Sequence, residues 1–186
     1  NSLDSVKLFN EVDELTYDVK NAISVNEDQR LLTKSLRHIK LLGNFFNLKL
    51  SNEELDYYLA DKEQFTAGWF KTAVTNLAGK AGQIDRVKTV DFNANVIDLR
   101  LPELENFYDI AKERDTEMIN NALNEIERRN VKTAAIIAGG FHTRGLTEVL
   151  REKGYSYAVV IPYSATEIDE ENYKMLLSGK RRPITD

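Results

Sequence analysis

The stretch Ala134-Ala135-Ile136-Ile137-Ala138-Gly139-Gly140-Phe141-His142-Thr143 is the starting point of the predicted fold. Its apolar first half is typical of a strand buried on both faces, and the two glycines permit a sharp turn or the close approach of another group. Thr143 can cap a helix that runs to Lys153, where Gly154 stops it. His142 is therefore predicted to lie at a helix N-terminus, beside the positive end of the helix dipole.

Around this stretch the sequence predicts a parallel β-α-β unit. Strands over residues 134–138 and 156–161 flank a helix over residues 144–153, and such a crossover is right-handed. Two parallel strands are too few for a stable sheet, because parallel strands normally lie inside a larger sheet with both faces covered. The expected fold class is α/β, with the larger sheet completed by an upstream segment or a partner polypeptide; assembly as an oligomer is left open.

The residues before this unit are predicted to be helix-rich. Two amphipathic helices, with a cap at Asn26 between them, form an N-terminal helical hairpin. Ser51-Asn52-Glu53-Glu54 is a capping-box pattern that opens a short helix, and a further helix is expected from Phe65 to Leu77. A short β-hairpin is expected at residues 87–99, where two β-like runs are joined by Asn93-Ala94-Asn95.

A long helix is predicted to connect these elements to the glycine-containing stretch. Pro102 suits its first turn, and the helical pattern continues to about Asn130. The chain is therefore divided into a helical region, residues 1–101, and a second region, residues 102–186, that contains the long helix and the β-α-β unit.

Composition narrows the class of protein. Of the 186 residues, 42% are hydrophobic, which is enough for a substantial core. No apolar run reaches the roughly 20 residues that span a bilayer, and no signal-peptide pattern is present, so a soluble chain without a membrane span is expected. The net charge of -5 is spread over helices of mixed sign without a polybasic groove, which argues against nucleic acid as the main partner.

His142 and Arg114 are the candidate catalytic residues. His142 follows a predicted buried strand and two glycines, a place where α/β folds build sites. Arg114 falls on the predicted apolar face of the long helix, and a guanidinium there needs an anionic partner. An anion-binding role and a structural salt bridge are both open for Arg114. The residues that define this predicted face are Phe107, Ala111, Met118 and Ala122.

Gly139, Gly140 and Thr143 complete the predicted site as substrate- or ligand-binding residues. For Thr143 the role of helix cap is preferred over the role of nucleophile. With no cysteine and two histidines, one copy of the chain cannot build a thiolate site or a three-histidine zinc site. A divalent metal at His142 would therefore need carboxylates or a second polypeptide. His38 lies among apolar residues of an amphipathic helix and is expected to be structural.

Three motifs carry a family resemblance over residues 110–162. They are Glu113-Arg114-Asp115-Thr116-Glu117-Met118, then Gly139-Gly140-Phe141-His142 with Gly145-Leu146, then Lys153-Gly154-Tyr155. In this order and spacing they resemble the C-terminal part of TraB/GumN-like and erythromycin-esterase-like proteins, in which an R-[D/N]-x-x-[M/W] helix precedes a G-x-x-H turn. The earlier helices resemble the middle of uncharacterised bacterial proteins with this ending.

The resemblance implies a hydrolase whose site is shared with upstream elements. Family members have an earlier G-x-x-H strand end and an acidic strand end that join the later His and Arg, and the Tiki branch is described as metal-dependent proteases. Neither upstream element is found in this sequence. Arg114 and His142 match the family's site residues, with Gly139 at the start of the motif. The implied roles are metal ligand or general acid and base for His142, and oxyanion or carboxylate clamp for Arg114.

Two other functions remain open. In one, the chain is a non-catalytic interaction or structural subunit of a larger assembly. In the other, it binds a cofactor, since a relative described as haem-binding exists in the wider group. Upstream histidine and acidic strand ends converging on His142 would favour the hydrolase over both.

Overall fold

The computed structural model describes residues 5–82 and 95–161, together with residues 175, 178 and 179. Residues 5–82 and 95–161 form six α-helices and two short 3₁₀ helices, and none of the described residues lies in a β-strand. The α-helices are α1, Ser5–Ala22; α2, Glu27–Phe46; α3, Asn52–Ala60; α4, Ala67–Lys80; α5, Asn95–Arg129; and α6, Thr143–Glu152. The 3₁₀ helices are Lys62–Phe65 and Gly140–His142.

The predicted α/β fold with its parallel β-α-β unit is wrong for the described residues. The runs over residues 134–138 and 156–161 form neither strand nor helix, and both are exposed. Ile137 and Val160, for example, are 97% and 84% exposed. A strand is stable only beside a backbone with which it pairs, and the described residues place none next to either run. A short apolar run is compatible with a strand but does not specify its partner.

The predicted β-hairpin at residues 87–99 is also wrong in the part of it that the structure describes. Residues 87–94 lie outside the described residues, and residues 96–99 belong to α5, which begins at Asn95. Pro102, expected in the first turn, lies inside this helix, which passes through the predicted boundary between residues 101 and 102. Short β-branched runs do not separate strand from helix by periodicity alone, and this ambiguity explains the error.

The predicted helical hairpin is confirmed as α1 and α2. Asn26 caps α2, because its side-chain oxygen accepts from the N–H of Gln29 at 2.9 Å. Arg37 of α2 donates to both carboxylate oxygens of Glu14 at 2.6 and 2.8 Å, and its guanidinium lies 4.2 Å from the Tyr17 ring centroid. Charged and aromatic side chains therefore join the hairpin, while several apolar side chains in α1 and directly after it stay exposed: Val12, Leu15, Val19 and Ile23.

The main core lies where α2, α3, α4 and α5 meet. The capping box predicted at Ser51 and Glu54 is confirmed at the start of α3. A smaller cluster joins α5 to α6 and contains Ile119, Leu123 and Leu146. The main core contains Leu41, Leu42, Phe45, Leu50, Leu55, Tyr58, Phe65, Phe70, Leu101 and Tyr108. α5 contributes to both clusters and so connects the N-terminal helices to the segment that contains His142.

A buried hydrogen bond in the main core gives a testable stability effect. The Tyr108 hydroxyl accepts from the backbone N–H of Leu50 at 2.9 Å. Tyr108→Phe keeps the ring but leaves this N–H without its partner, so we expect the free energy of unfolding to fall by about 1–3 kcal/mol in urea denaturation. Tyr157→Phe is the matched control, because it removes an exposed hydroxyl and should change stability by less than about 0.5 kcal/mol. Equal losses in both variants would contradict the assignment.

His38 is a core residue, as expected from its position on an amphipathic helix. It is 0% exposed, and its ring stacks on Phe65 with centroids 4.2 Å apart. Its Nδ1 lies 3.2 Å from the carbonyl oxygen of Gln64, and its Nε2 lies 3.1 Å from the hydroxyl of Tyr57. Since the carbonyl can only accept, Nδ1 donates and Nε2 accepts from Tyr57. The neutral ring is thus fully hydrogen-bonded.

Burial of His38 predicts loss of stability in acid. Burial lowers the pKa of His38 from 6.5 to about 4. As pH falls through this window the unfolded chain takes up a proton that the folded chain does not, so the stability contributed above pH 6.5 is lost. We expect a fall of about 2–3 kcal/mol in the free energy of unfolding between pH 7 and pH 4.5, measured by urea denaturation. The fall should be smaller by this amount in His38→Phe; an identical fall in the variant would refute the prediction.

Candidate functional site

The 3₁₀ helix Gly140–His142 delivers His142 to the start of α6. Gly139 has an extended backbone, with φ -67° and ψ 153°, and its carbonyl accepts from the His142 N–H at 3.0 Å. His142 occupies the residue immediately before α6, so its predicted place at a helix N-terminus is confirmed. The prediction that Thr143 caps this helix is wrong, because Thr143 is its first residue and no side-chain cap bond is made.

His142 is hydrogen-bonded to Asp115 of α5. Nδ1 of His142 lies 2.6 Å from Oδ1 of Asp115, and the two side chains are only 15% and 10% exposed. A carboxylate oxygen accepts hydrogen bonds, so Nδ1 carries the proton and donates it to Asp115. In the neutral ring Nε2 is then unprotonated and presents a lone pair. The pair therefore fixes both the orientation and the tautomer of His142.

Gly145 allows α6 to lie directly against Asp115. A Cβ placed on Gly145 would lie 2.1 Å from Oδ2 and 2.9 Å from Cβ of Asp115, far inside van der Waals contact. Every other amino acid has this Cβ, so glycine is required by the close approach. The first-turn N–H groups of a helix carry partial positive charge, which favours a carboxylate at this end of α6.

The buried stripe of α5 differs from the predicted one. Arg114 is exposed, and the prediction that it lies on the apolar face is wrong. Asp115 is buried instead, within the stripe Leu101, Tyr108, Ala111, Asp115, Ile119 and Leu123. If the buried face is defined by the aliphatic residues at positions 101, 111, 119 and 123, Asp115 lies on it. The predicted face was defined from Phe107, which is 41% exposed, and Asp115 lies outside that face.

Helix α3 contacts the residues that lie before and after His142 in the chain. Nδ2 of Asn52 donates to the carbonyl oxygen of Phe141 at 2.9 Å. The guanidinium of Arg144 donates to Oδ2 of Asp56 at 2.6 Å. Asn52 and Phe141 are 89 positions apart in the chain, and Asp56 and Arg144 are 88 positions apart. No local pattern in the sequence therefore indicates these contacts.

The predicted ligand-binding residues Gly139, Gly140 and Thr143 lie next to His142 in the chain. A Cβ on Gly140 would meet no atom within 4 Å, and one on Gly139 would make only an ordinary contact of 3.9 Å with His142. Within the described residues the protein itself makes a close approach at Gly145 and none at Gly139 or Gly140. Binding of a ligand by Gly139, Gly140 and Thr143 stays a prediction.

A metal at His142 would depend on donors beyond the described ranges. Within residues 5–82 and 95–161 no three His, Cys, Asp or Glu side chains converge in a way that could hold a metal ion. Nδ1 of His142 is engaged by Asp115, so Nε2 is the nitrogen that remains for a metal. A carboxylate on the other ring nitrogen is common to metal-binding and proton-transferring histidines, and the geometry is compatible with either role.

No helix in the described part of the chain has the length and apolar character needed to cross a membrane. Comparisons with protein-family models, with curated proteins and with solved structures find no match to this chain. The resemblance to TraB/GumN-like and erythromycin-esterase-like proteins therefore stays a prediction that depends on the spacing of its motifs.

Proposed function

We propose that the chain carries the histidine part of a hydrolytic site, in a protein related to the TraB/GumN-like and erythromycin-esterase-like group. The Asp115–His142 hydrogen bond carries this proposal. A general base needs an unprotonated nitrogen, and a neighbouring anion stabilises the imidazolium formed when this nitrogen accepts a proton. Nε2 of His142 and the carboxylate of Asp115 supply these two groups.

In this reaction His142 acts on a water molecule. Nε2 takes a proton from the water as its oxygen bonds to an acyl carbon, and Asp115 stabilises the positive ring. The imidazolium then returns the proton to the leaving group as the bond to the acyl carbon breaks, which restores the neutral histidine. Arg114 is the proposed anion clamp, and Gly139, Gly140 and Thr143 are the proposed substrate contacts.

An upstream segment or a partner polypeptide supplies the remaining groups of this site. These groups are donors for the oxyanion and, in a metal-assisted reaction, the further ligands of a divalent metal. The proposal therefore assigns to the chain itself the base and its carboxylate partner, and both can be tested in the 186-residue chain without the additional groups.

Hydrolysis of p-nitrophenyl acetate tests the base. This ester is activated enough that a single histidine nitrogen accelerates its hydrolysis, and release of p-nitrophenol is followed by absorbance at pH 8. We expect the rate to fall to that of the buffer in His142→Gln and to persist in His38→Phe, which removes the other, buried histidine. Equal rates in the unmodified chain and His142→Gln would contradict the proposal.

A second candidate function is a non-catalytic subunit that binds a partner polypeptide. The observation that favours it is the exposure of apolar side chains in the runs 134–138 and 156–161, since folded proteins rarely leave large apolar patches uncovered. These side chains include Ile137, Val159, Val160 and Ile161, which are 97%, 50%, 84% and 65% exposed.

The two functions respond differently to substitution. If the chain is a binding subunit, the double variant Ile137→Asp with Val160→Asp should no longer associate with the partner polypeptide in sedimentation experiments. His142→Gln should leave this association intact. For the hydrolytic site, His142→Gln should be the damaging change. Association that is unaffected by both aspartates would exclude the two runs as the binding surface.

A further inference from the structure

Helix α3 presents two polar side chains to the segment that contains His142. Asn52 and Asp56 are four residues apart and so lie on one face of α3. Asn52 donates to the Phe141 carbonyl at 2.9 Å, and Asp56 accepts from Arg144 at 2.6 Å. The two contacts lie on either side of His142 in the chain.

From this arrangement we propose that Asn52 and Asp56 are positioning residues for His142. The inference rests on the proposed function of the Asp115–His142 pair. Asp115 holds one atom of the ring, but the place of the ring also depends on the backbone that carries it. The Asn52 contact holds the carbonyl immediately before His142, and the half-exposed ion pair between Asp56 and Arg144 attaches the first turn of α6 to α3. Displacement of a catalytic group by about 1 Å is enough to slow a reaction by about 100-fold.

α3 is itself hydrogen-bonded to the neighbouring helices, as a positioning element requires. Glu54 accepts from the Ser51 N–H at 2.9 Å and also from Nδ2 of Asn44 in α2 at 2.8 Å. At the other end of α3, the hydroxyl of Tyr58 donates to Glu105 of α5 at 2.7 Å. α3 therefore has fixed contacts with the same helix, α5, that carries Asp115, and it aligns the two members of the pair.

The test measures the tautomer of His142 in the full 186-residue chain. The imidazole nitrogens are labelled with ¹⁵N, and correlation spectra at pH 8 report which nitrogen carries the proton. Because the chain has only two histidines, His38→Phe assigns the signals. The variants are Asn52→Ala, Asp56→Ala and their combination, and Glu53→Ala is the matched control because Glu53 is exposed on the same helix.

We expect the double variant to lower the population of the Nδ1-protonated tautomer and to slow p-nitrophenyl acetate hydrolysis by about 10-fold or more. Glu53→Ala should change neither quantity. Asn52→Gln retains an amide donor, so it should hydrolyse p-nitrophenyl acetate faster than Asn52→Ala does. The single variants each remove one contact, and they provide the same readouts if the double variant does not fold.

The outcomes separate this inference from the function on which it rests. If the double variant keeps the tautomer and the rate while Asp115→Asn changes both, α3 has no positioning role and the proposed pair stands. If Asp115→Asn also leaves the tautomer and the rate unchanged, the pair itself is refuted. Loss of thermal stability without a change in tautomer or rate would assign the α3 contacts to structure alone and overturn the inference.

Discussion

Gly145→Ala is expected to lower the free energy of unfolding by about 2–4 kcal/mol and to break the hydrogen bond between Asp115 and His142. The added Cβ would lie 2.1 Å from Oδ2, 2.6 Å from Cγ and 2.9 Å from Cβ of Asp115. Rotation of the carboxylate cannot relieve the contact with the Asp115 Cβ, which is fixed by the backbone of α5. Either α6 moves away or Asp115 turns from His142, and each change weakens the same site.

Urea denaturation and the imidazole ¹⁵N spectrum measure the two effects of Gly145→Ala. Gly43→Ala is the matched control, because Gly43 lies inside α2 and an added Cβ there meets no atom within 4 Å. It should stabilise the protein by about 0.5–1 kcal/mol, the usual gain from glycine to alanine in a helix. A Gly145→Ala protein as stable as the unmodified chain would show that α6 does not lie against Asp115.

Asp115→Asn is expected to slow p-nitrophenyl acetate hydrolysis by about 10- to 100-fold. Asparagine keeps the size of the side chain but loses the negative charge that stabilises the imidazolium. Its amide can also present an N–H to His142, which favours the tautomer with the proton on Nε2 and removes the lone pair needed by a base. The measurement is the initial rate at pH 8.

Glu113→Gln is the control for this substitution, since it makes the same chemical change at an exposed position of α5. It should leave the hydrolysis rate unchanged, and a comparable loss in both variants would remove the special role of Asp115. Arg114→Gln tests the proposed anion clamp separately, because Arg114 is exposed and its replacement leaves the Asp115–His142 contact in place.

The helices that the sequence predicted well are those with local end signals. Ser51 and Glu54 form the expected capping box, and Asn26 caps α2. Gly154 follows α6 with φ +76°, and the N–H of Tyr155 bonds back to the carbonyl of Leu150 at 2.9 Å, as in a helix ended by glycine. Each signal acts over a few residues, so it can be identified in the sequence alone.

The errors concern contacts between distant parts of the chain. Residues 134–138 have the composition of a buried strand, but the backbone that would pair with them is not specified by that composition. Asp115 and Gly145 are 30 positions apart in the sequence, so their close approach follows from the packing of α5 on α6 and from no local pattern. His142 could therefore be identified from the sequence, whereas the inward position on α5 was assigned to Arg114 and belongs to its neighbour Asp115.

The imidazole ¹⁵N spectrum of the unmodified chain shows directly whether Asp115 sets the tautomer of His142. At pH 8 we expect His142 to be protonated on Nδ1 and unprotonated on Nε2, and we expect this preference to be lost in Asp115→Asn. A His142 ring protonated on Nε2, with the same spectrum in Asp115→Asn, would refute the proposed base, because it would then have neither its carboxylate partner nor its free nitrogen.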